Sequence, residues 1–457
     1  QAINDKMVSR GPDDHGISVQ GNRGFGHRRL RIMDLAAASQ QPMIDPQLGA
    51  GIVFNGAIYN YPALRTELQQ LGYTFYSEGD TEVVLKAYRE WGEACVTRFE
   101  GMFAFAIWER DSGRTFLARD RLGIKPLYYS LDERRLRFAS SLPALLAGGD
   151  IDTALDPRAL NFYMSFHAVV PPGDTIVRGV RKMAPATTMT IEADGTIKEQ
   201  RYWQLSFDRS AEDEARSFES WRDGLLEELR DAVRKRQLAA VDVGVLLSGG
   251  IDSSLLVGLM AEAGTSGLHT FSVGFESVNG EQGDEFKYSD IIAEEFATRH
   301  HKINVSAAEL LQELPAAINA MSEPMVSHDC IGFYLLSREV AKSCRAVQSG
   351  QGADEVFGGY HWYPPMVGSD KPFEDYSKAF FDRDYAEYCR LMTAEYAQGD
   401  AAGEFVRAHF ARAGADDSVD KALRIDTDTM LVDDPVKRVD NMTMAWGLEA
   451  RVPFLDH

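Results

Sequence analysis

Two rhythms of apolar residues divide the chain. Up to about residue 205, apolar and polar positions alternate over short stretches: AGIVFNGAIYN at 50–60, MFAFAIWE at 102–109, RTFLARD at 114–120, KPLYYS at 125–130 and RLRFASS at 135–141. A period of two predicts strands, and helical patterns near 62–71 and 81–91 interrupt them, so antiparallel sheets with a few covering helices are expected. From about residue 220, amphipathic helical segments separate the apolar runs VGVLL, HTFSVGFE, HKINV and RAVQ. That order predicts a doubly wound parallel sheet with helices on both faces and ligands at the carboxyl ends of its strands. The acidic, Ser-containing stretch 206–220 reads as a linker, which places one domain at 1–205 and a second at 221–457. Beyond about residue 360 the pattern is helical, with no clear strand.

The run VGVLLSGGIDSSLLVGLMAE at 243–262 carries the clearest chemistry. Its strand ends in Ser-Gly-Gly, and Leu255, Leu256, Leu259 and Met260 resume at helical spacing, so a tight turn feeds a helix N-terminus. Free backbone N–H groups and the positive end of the helix dipole make such a turn an anion site. Gly249 and Gly250 let the backbone come close, and the hydroxyls of Ser248, Ser253 and Ser254 add donors. The turn is neither a Walker A loop nor the dinucleotide fingerprint. Asp252 would repel a bare phosphate, and it makes sense if Mg²⁺ sits between it and a pyrophosphate. The alternative is a glycine turn with a helix-capping Asp or Ser. A second string, SGQGADEVFGGY at 349–360, sets four glycines beside Asp354 and Glu355 after the strand RAVQ. That composition suits phosphate and metal, or else a flexible acidic loop.

Composition narrows the partners. A chain of 457 residues suggests two or three domains. The net charge of −21 argues against nucleic acid or an anionic membrane as the main partner, so a phosphate site must be local and metal-assisted. Cys95, Cys330, Cys344 and Cys389 lie far apart, which suits a cytoplasmic protein and argues against structural zinc or a disulfide framework. No apolar run approaches a membrane span.

With these strings assembled, the chain resembles the glutamine-dependent asparagine synthetase family over nearly its whole length. In the first half the matching strings are RGPDDHG at 10–16, GHRRL at 26–30, FNGAIYN at 54–60, EGDTEVVL at 78–85, GMFAFAIWE at 101–109 and ARDRLGIKPLYY at 118–129. The resemblance implies an N-terminal-nucleophile glutaminase, an αββα sandwich, followed by an ATP-pyrophosphatase synthetase domain with a helical C-terminal part. Arg29 would hold the glutamine α-carboxylate and Asp80 the α-ammonium. Asn55 and the Gly56 N–H would form the oxyanion hole. The family's nucleophilic cysteine belongs at the processed N-terminus, shortly before RGPDD, and is expected ahead of Gln1. Cys95, in EWGEACVTRF, reads as a small core residue. Ala57 stands where the family usually has Glu, leaving Asp80 with more of the ammonium-binding role. The family also continues past RVPFLDH into helices that carry a basic residue near the pyrophosphate.

In the second half the resemblance implies activation of a carboxylate by ATP as an acyl-adenylate, and attack by ammonia from the glutaminase site. Leu246 and Val273 would contact adenine and ribose. Ser248, Gly249, Gly250, Asp252, Ser253 and Ser254 would bind the pyrophosphate, Ser349 and Gly350 the nucleotide, and Asp252 with Asp354 the Mg²⁺.

Gln351 departs from the Ser-Gly-Glu-Gly-Ala-Asp-Glu of asparagine synthetases, where the Glu acts in the acceptor half of the catalytic site. An amide cannot serve as a base or hold an α-ammonium by charge, so an acceptor with a blocked amino group is expected. Together with MSEPMVSHDCIGFYLLS at 321–337, QSGQGADEVFGGYHWYPP at 348–365 and FHAVVPPGDTIVRGVRK at 166–182, this looks like the branch that makes N-acetylglutaminylglutamine amide, a bacterial osmoprotectant. His328 and Asp329 would face the acceptor, with a structural role the expected one. The run YHWYPP either floors the acceptor pocket or packs the helical region. The rival readings are asparagine synthesis from aspartate, a ring-closing relative, and a non-catalytic nucleotide-binding relative. Expected partners are thus glutamine and a carboxylate acceptor, the oligomeric state being open and a homodimer one option.

Overall fold

The computed structural model describes residues 1–276, 283–325 and 329–457. In the first half the strands Ile197–Arg201, Thr187–Ile191, Thr115–Arg119, Gly101–Glu109, Ala50–Ile58 and Met43–Asp45 form, in that order, a six-stranded antiparallel sheet. Strand alternation gives the sheet two apolar faces. Ile52, Phe54, Phe103, Phe105 and Ile107 pack under the helices Tyr61–Gln70 and Asp80–Trp91. Val53, Ala104, Ala106 and Trp108 on the other face meet Phe25, Leu127 and Met183. These belong to a second layer built from the hairpin Asp14–Gln20 with Arg23–Arg29 and a three-stranded sheet around Tyr128–Leu131. The helices Ala2–Lys6 and Leu142–Leu146 close the outside through Ile3, Leu142 and Leu145. This is the αββα sandwich that the family resemblance implied.

The second half contains a parallel sheet in the order Arg299–Val305, His269–Phe275, Val243–Leu246, Ala346–Gln348 and Glu449–Arg451. The order reverses between Val243–Leu246 and Ala346–Gln348, so the crevice outside their carboxyl ends is the expected ligand position. The strand Glu449–Arg451 corrects the expectation of a wholly helical region after 360. Three residues, two of them charged, carry no period-two signal, and only pairing with Ala346–Gln348 makes them a strand. The stretch read as a linker is also partly helical. Ser210 and Asp213 form a capping box for Ala211–Ala215, and the Ser217 hydroxyl caps Phe218–Lys235.

Packing does not follow chain order. Ala159, Phe162, Phe166 and Val169 from the first half share a core with Tyr363, Tyr376, Phe380 and Phe410 of the helical region. Between the halves, Ala57, Tyr59, Met102 and Leu122 meet Leu431, Val436, Val452 and Leu455. All ten residues of the helix Pro435–Met444 are buried at this junction. Charges cross it too: Arg10 and Lys125 both pair with Asp440, at 2.8 and 3.4 Å, and Lys182 reaches Asp433 and Glu323. Among the described residues no helix is long and apolar enough to cross a membrane.

Candidate functional site

Two cavities hold most of the residues singled out in the sequence. The first, of about 380 Å³, is lined by Arg29, Asn55, Gly56 and Asp80. Arg29 ends a strand, and its guanidinium donates to the carbonyls of Ala36 at 2.8 Å and Asp34 at 2.6 Å. Both bonds fix its direction before any ligand arrives. Burial lowers its pKa from the ordinary guanidinium value. Asn55 donates from Nδ2 to Ser140 Oγ at 3.4 Å. Gly56 sits at φ +149°, where a Cβ would come within 2.0 Å of the Met102 carbonyl, so only glycine lets the backbone pass there. Asp80 opens the helix Asp80–Trp91 and accepts the Ile58 N–H at 3.0 Å. Burial, with Glu449's charge adding to it, pushes its carboxyl up to about 7.

His27, Ser39 and Glu449 line the same cavity; His27 lies in the string GHRRL but has no role legible in the sequence, and Ser39 and Glu449 gave no sequence signal. His27 Nε2 meets the Phe54 carbonyl at 3.1 Å, and burial pushes its pKa down to about 4, so it stands neutral. Glu449 comes from the second half of the chain. Ala57 lies off the cavity, in the junction core. Cys95 is likewise elsewhere, packed under the six-stranded sheet, with its thiol pKa raised by burial.

The second cavity, of about 500 Å³, opens at the strand-order reversal. It is lined by Leu246, Ser248, Gly250, Asp252, Ser253 and Val273 from one side, and by Ser349, Gly350, Gln351 and Asp354 from the other. The turn is internally tied: Ser248 Oγ lies 3.0 Å from Ser253 Oγ and accepts the Gly250 N–H at 3.2 Å. Gly249 and Ser254 stand behind the cavity wall. Gly249, at φ +88°, would drive a Cβ to 2.6 Å from Tyr288 Cβ, so it shapes the turn, while Ser254 Oγ is buried without a partner among the described residues.

Asp252 and Asp354 are half-buried and form no ion pair among the described residues, and burial raises both carboxyl pKa values, Asp252 being raised further by the charge of Asp354. Two facing carboxylates beside a helix N-terminus fit a hard divalent cation bound to phosphate. Gly350 and Gly359 make the approach feasible, since a Cβ at 350 would sit 3.2 Å from Asp252 Cβ and one at 359 would fall 2.0 Å from Asp354 Oδ1.

Phe271, Phe275, Phe286, Phe333 and Leu336 form the apolar side of this cavity, with Glu355 and Tyr360 beside Gln351. Tyr360 donates its hydroxyl to Glu355 Oε1 at 2.7 Å, and burial pushes the Glu355 carboxyl up to about 7. The run YHWYPP does both of the things its sequence left open. Tyr360 faces the cavity, while Trp362 and Tyr363 turn into the helical core and donate to Asp426 at 2.8 and 2.7 Å. Asp329 also lines the cavity and lies 3.6 Å from Arg438; His328 is outside the described residues.

Residues 1–203 match the family described as glutamine amidotransferase domain, and residues 224–457 match the family described as asparagine synthase. Asparagine synthetase [glutamine-hydrolyzing] 1 of Bacillus subtilis is 33% identical, over 99% of this chain and 76% of its own length. Asparagine synthetase [glutamine-hydrolyzing] 3 of the same organism is 31% identical, over 100% of this chain and 76% of its own. Asparagine synthetase B [glutamine-hydrolyzing] of Escherichia coli is 29% identical, over 98% and 68%.

Proposed function

The chain belongs to the glutamine-hydrolysing asparagine synthetase family, a family of ligases, and on that premise we propose that its acceptor is a carboxylate without a free α-amino group, N-acetylglutaminylglutamine above all. The observation that carries this reading is Gln351, which lines the second cavity beside Asp354 and Glu355 in place of the expected Glu. A neutral amide offers no charge to an α-ammonium, whereas a capped dipeptide needs none.

In this reading glutamine and water give glutamate and ammonia in the first cavity. Arg29 grips the α-carboxylate, Asp80 the α-ammonium, and Asn55 with the Gly56 N–H meets the oxygen on which charge develops. In the second cavity the acceptor carboxylate and ATP give an acyl-adenylate and pyrophosphate; ammonia then gives the amide, AMP and a proton. Mg²⁺, held by Asp252 and Asp354, would neutralise charge on the departing pyrophosphate. The turn at Ser248–Ser254 orients the phosphates, and the apolar wall of Phe271, Phe275 and Phe333 keeps water from the activated carbonyl.

Pyrophosphate release by the full-length protein with ATP, Mg²⁺ and ammonium chloride tests the acceptor directly. Release with N-acetylglutaminylglutamine and none with aspartate is expected; release with aspartate returns the protein to the asparagine-forming members. Glutamine capture is also expected to depend on pH. Protonated Asp80 has no charge for the α-ammonium, so kcat/KM for glutamine should fall about tenfold per unit as pH drops below about 7. A profile flat to about pH 5, read by glutamate release, removes Asp80 from that role.

A further inference from the structure

Glu355 is 1% exposed and lines the second cavity, yet the chain satisfies only half of its carboxylate. Oε1 accepts the Tyr360 hydroxyl, while Oε2 is buried without any hydrogen-bond partner among the described residues. An unpaired buried acceptor is disfavoured, because it has lost its water without gaining a donor, and a ligand donor would relieve that cost. The other half of the group is held firmly. Tyr360 stacks on Trp362 at 4.2 Å between centroids, and the Trp362 indole is anchored to Asp426, so the Tyr360 ring has a fixed support.

The neighbours of Glu355 decide what kind of donor fits. Its chain neighbour Asp354 and the facing Asp252 make this end of the cavity anionic. The acceptor carboxylate and the phosphates are anions too, and a bare carboxylate oxygen beside them repels both. The remaining reactant with N–H groups and no negative charge is the nitrogen nucleophile. We propose that Glu355 Oε2 receives the incoming ammonia and holds it for attack on the acyl carbon, with Tyr360 as the positioning residue for that carboxylate. In the step served, nitrogen bonds to the acyl carbon, the bond to the AMP oxygen breaks, AMP leaves with the electron pair, and the surplus proton passes to solvent. This inference rests on the amide-synthetase reading above, though not on which acceptor is used.

Glu355→Gln tests it with nearly unchanged shape. Tyr360 keeps the amide oxygen on its own side, so an –NH₂ donor replaces Oε2 and faces the N–H groups of ammonia. In the full-length variant the KM for ammonium chloride should rise at least about tenfold, while ATP–pyrophosphate exchange, which needs no nitrogen nucleophile, falls less than about threefold. Tyr360→Phe frees the carboxylate to rotate, and a smaller rise in ammonium KM is expected. Exchange is run with whichever of N-acetylglutaminylglutamine and aspartate supports it in the unaltered protein. If neither does, the synthetase reading itself fails. If one does, an unchanged ammonium KM in Glu355→Gln, or exchange and amide formation falling together, overturns the role of Glu355 alone. Should Glu355→Gln not fold, the Tyr360→Phe result decides: no rise in ammonium KM overturns the proposal.

Discussion

Asp252→Asn is expected to lower pyrophosphate release by the full-length protein about a thousandfold while leaving glutamine hydrolysis in the first cavity intact. Stabilising charge on a transferring phosphoryl group through a bound cation is worth several kcal/mol, and about 4 kcal/mol corresponds to that factor. The substitution keeps size and shape and removes only the charge that, in the proposed reading, would hold a cation against Asp354. Stability gives an independent readout. Burial and the neighbouring Asp354 already raise the Asp252 pKa, so the ionised pair is unfavourable in the ligand-free fold. The variant should therefore melt no lower than the unaltered protein when Mg²⁺ and ATP are absent, and should gain less from adding them. Near-normal pyrophosphate release by the variant would take Asp252 out of the metal site; a sharply lowered melting point would make it a structural carboxylate.

The second large effect concerns stability. Lys182→Met is expected to weaken the fold by about 3–5 kcal/mol, the usual range when one partner of a buried ion pair is removed. Lys182 lies at the junction of the two halves, donates to the Val170 carbonyl at 2.9 Å, and pairs with Asp433 and with Glu323 at 3.1 Å. Asp433 also accepts the Val170 N–H at 2.7 Å and pairs with Lys437 at 3.1 Å, and Glu323 accepts the Ile176 N–H at 3.1 Å. Two lysines thus balance two carboxylates in a region closed to water, and deleting one leaves a net buried charge. Burial opposes ionisation of Asp433, but Lys182 and Lys437 hold its pKa below the ordinary value. The stability it contributes is present above that ordinary value and lost as pH falls through the lowered one. The check is the urea midpoint of Lys182→Met against that of the double variant Lys182→Met with Glu323→Gln. The double variant restores neutrality and should recover part of the loss; a midpoint unchanged by Lys182→Met would show that the cluster carries no net energy.

Much of this molecule is written in short-range terms. Alternation in AGIVFNGAIYN and MFAFAIWE determined strands, and the order of strands and helices after residue 220 determined a parallel sheet with a site at its carboxyl ends. The turn at Ser248–Asp252 and the loop at Ser349–Asp354 were legible for the same reason: a glycine turn before a helix has a local signature in backbone freedom and hydrogen-bond donors. Arg29, Asn55, Gly56 and Asp80 came from ordered motifs, and the fold brings them to one cavity.

Tertiary structure decided the rest. Glu449–Arg451 became a strand because an edge of the sheet was free to pair with it, against a composition that shows no strand. Glu449 reaches the first cavity from more than 350 residues away in the chain from Asp80. Glu355 and Tyr360 meet because the short helix Ala353–Phe357 and the turn after it aim both inward, and Lys182, Glu323 and Asp433 form one cluster from three distant segments. Periodicity and turn chemistry act between near neighbours and are legible in sequence. Desolvation and charge pairing act between groups that only the packed fold brings together, so these residues took on their meaning once the two halves closed on each other.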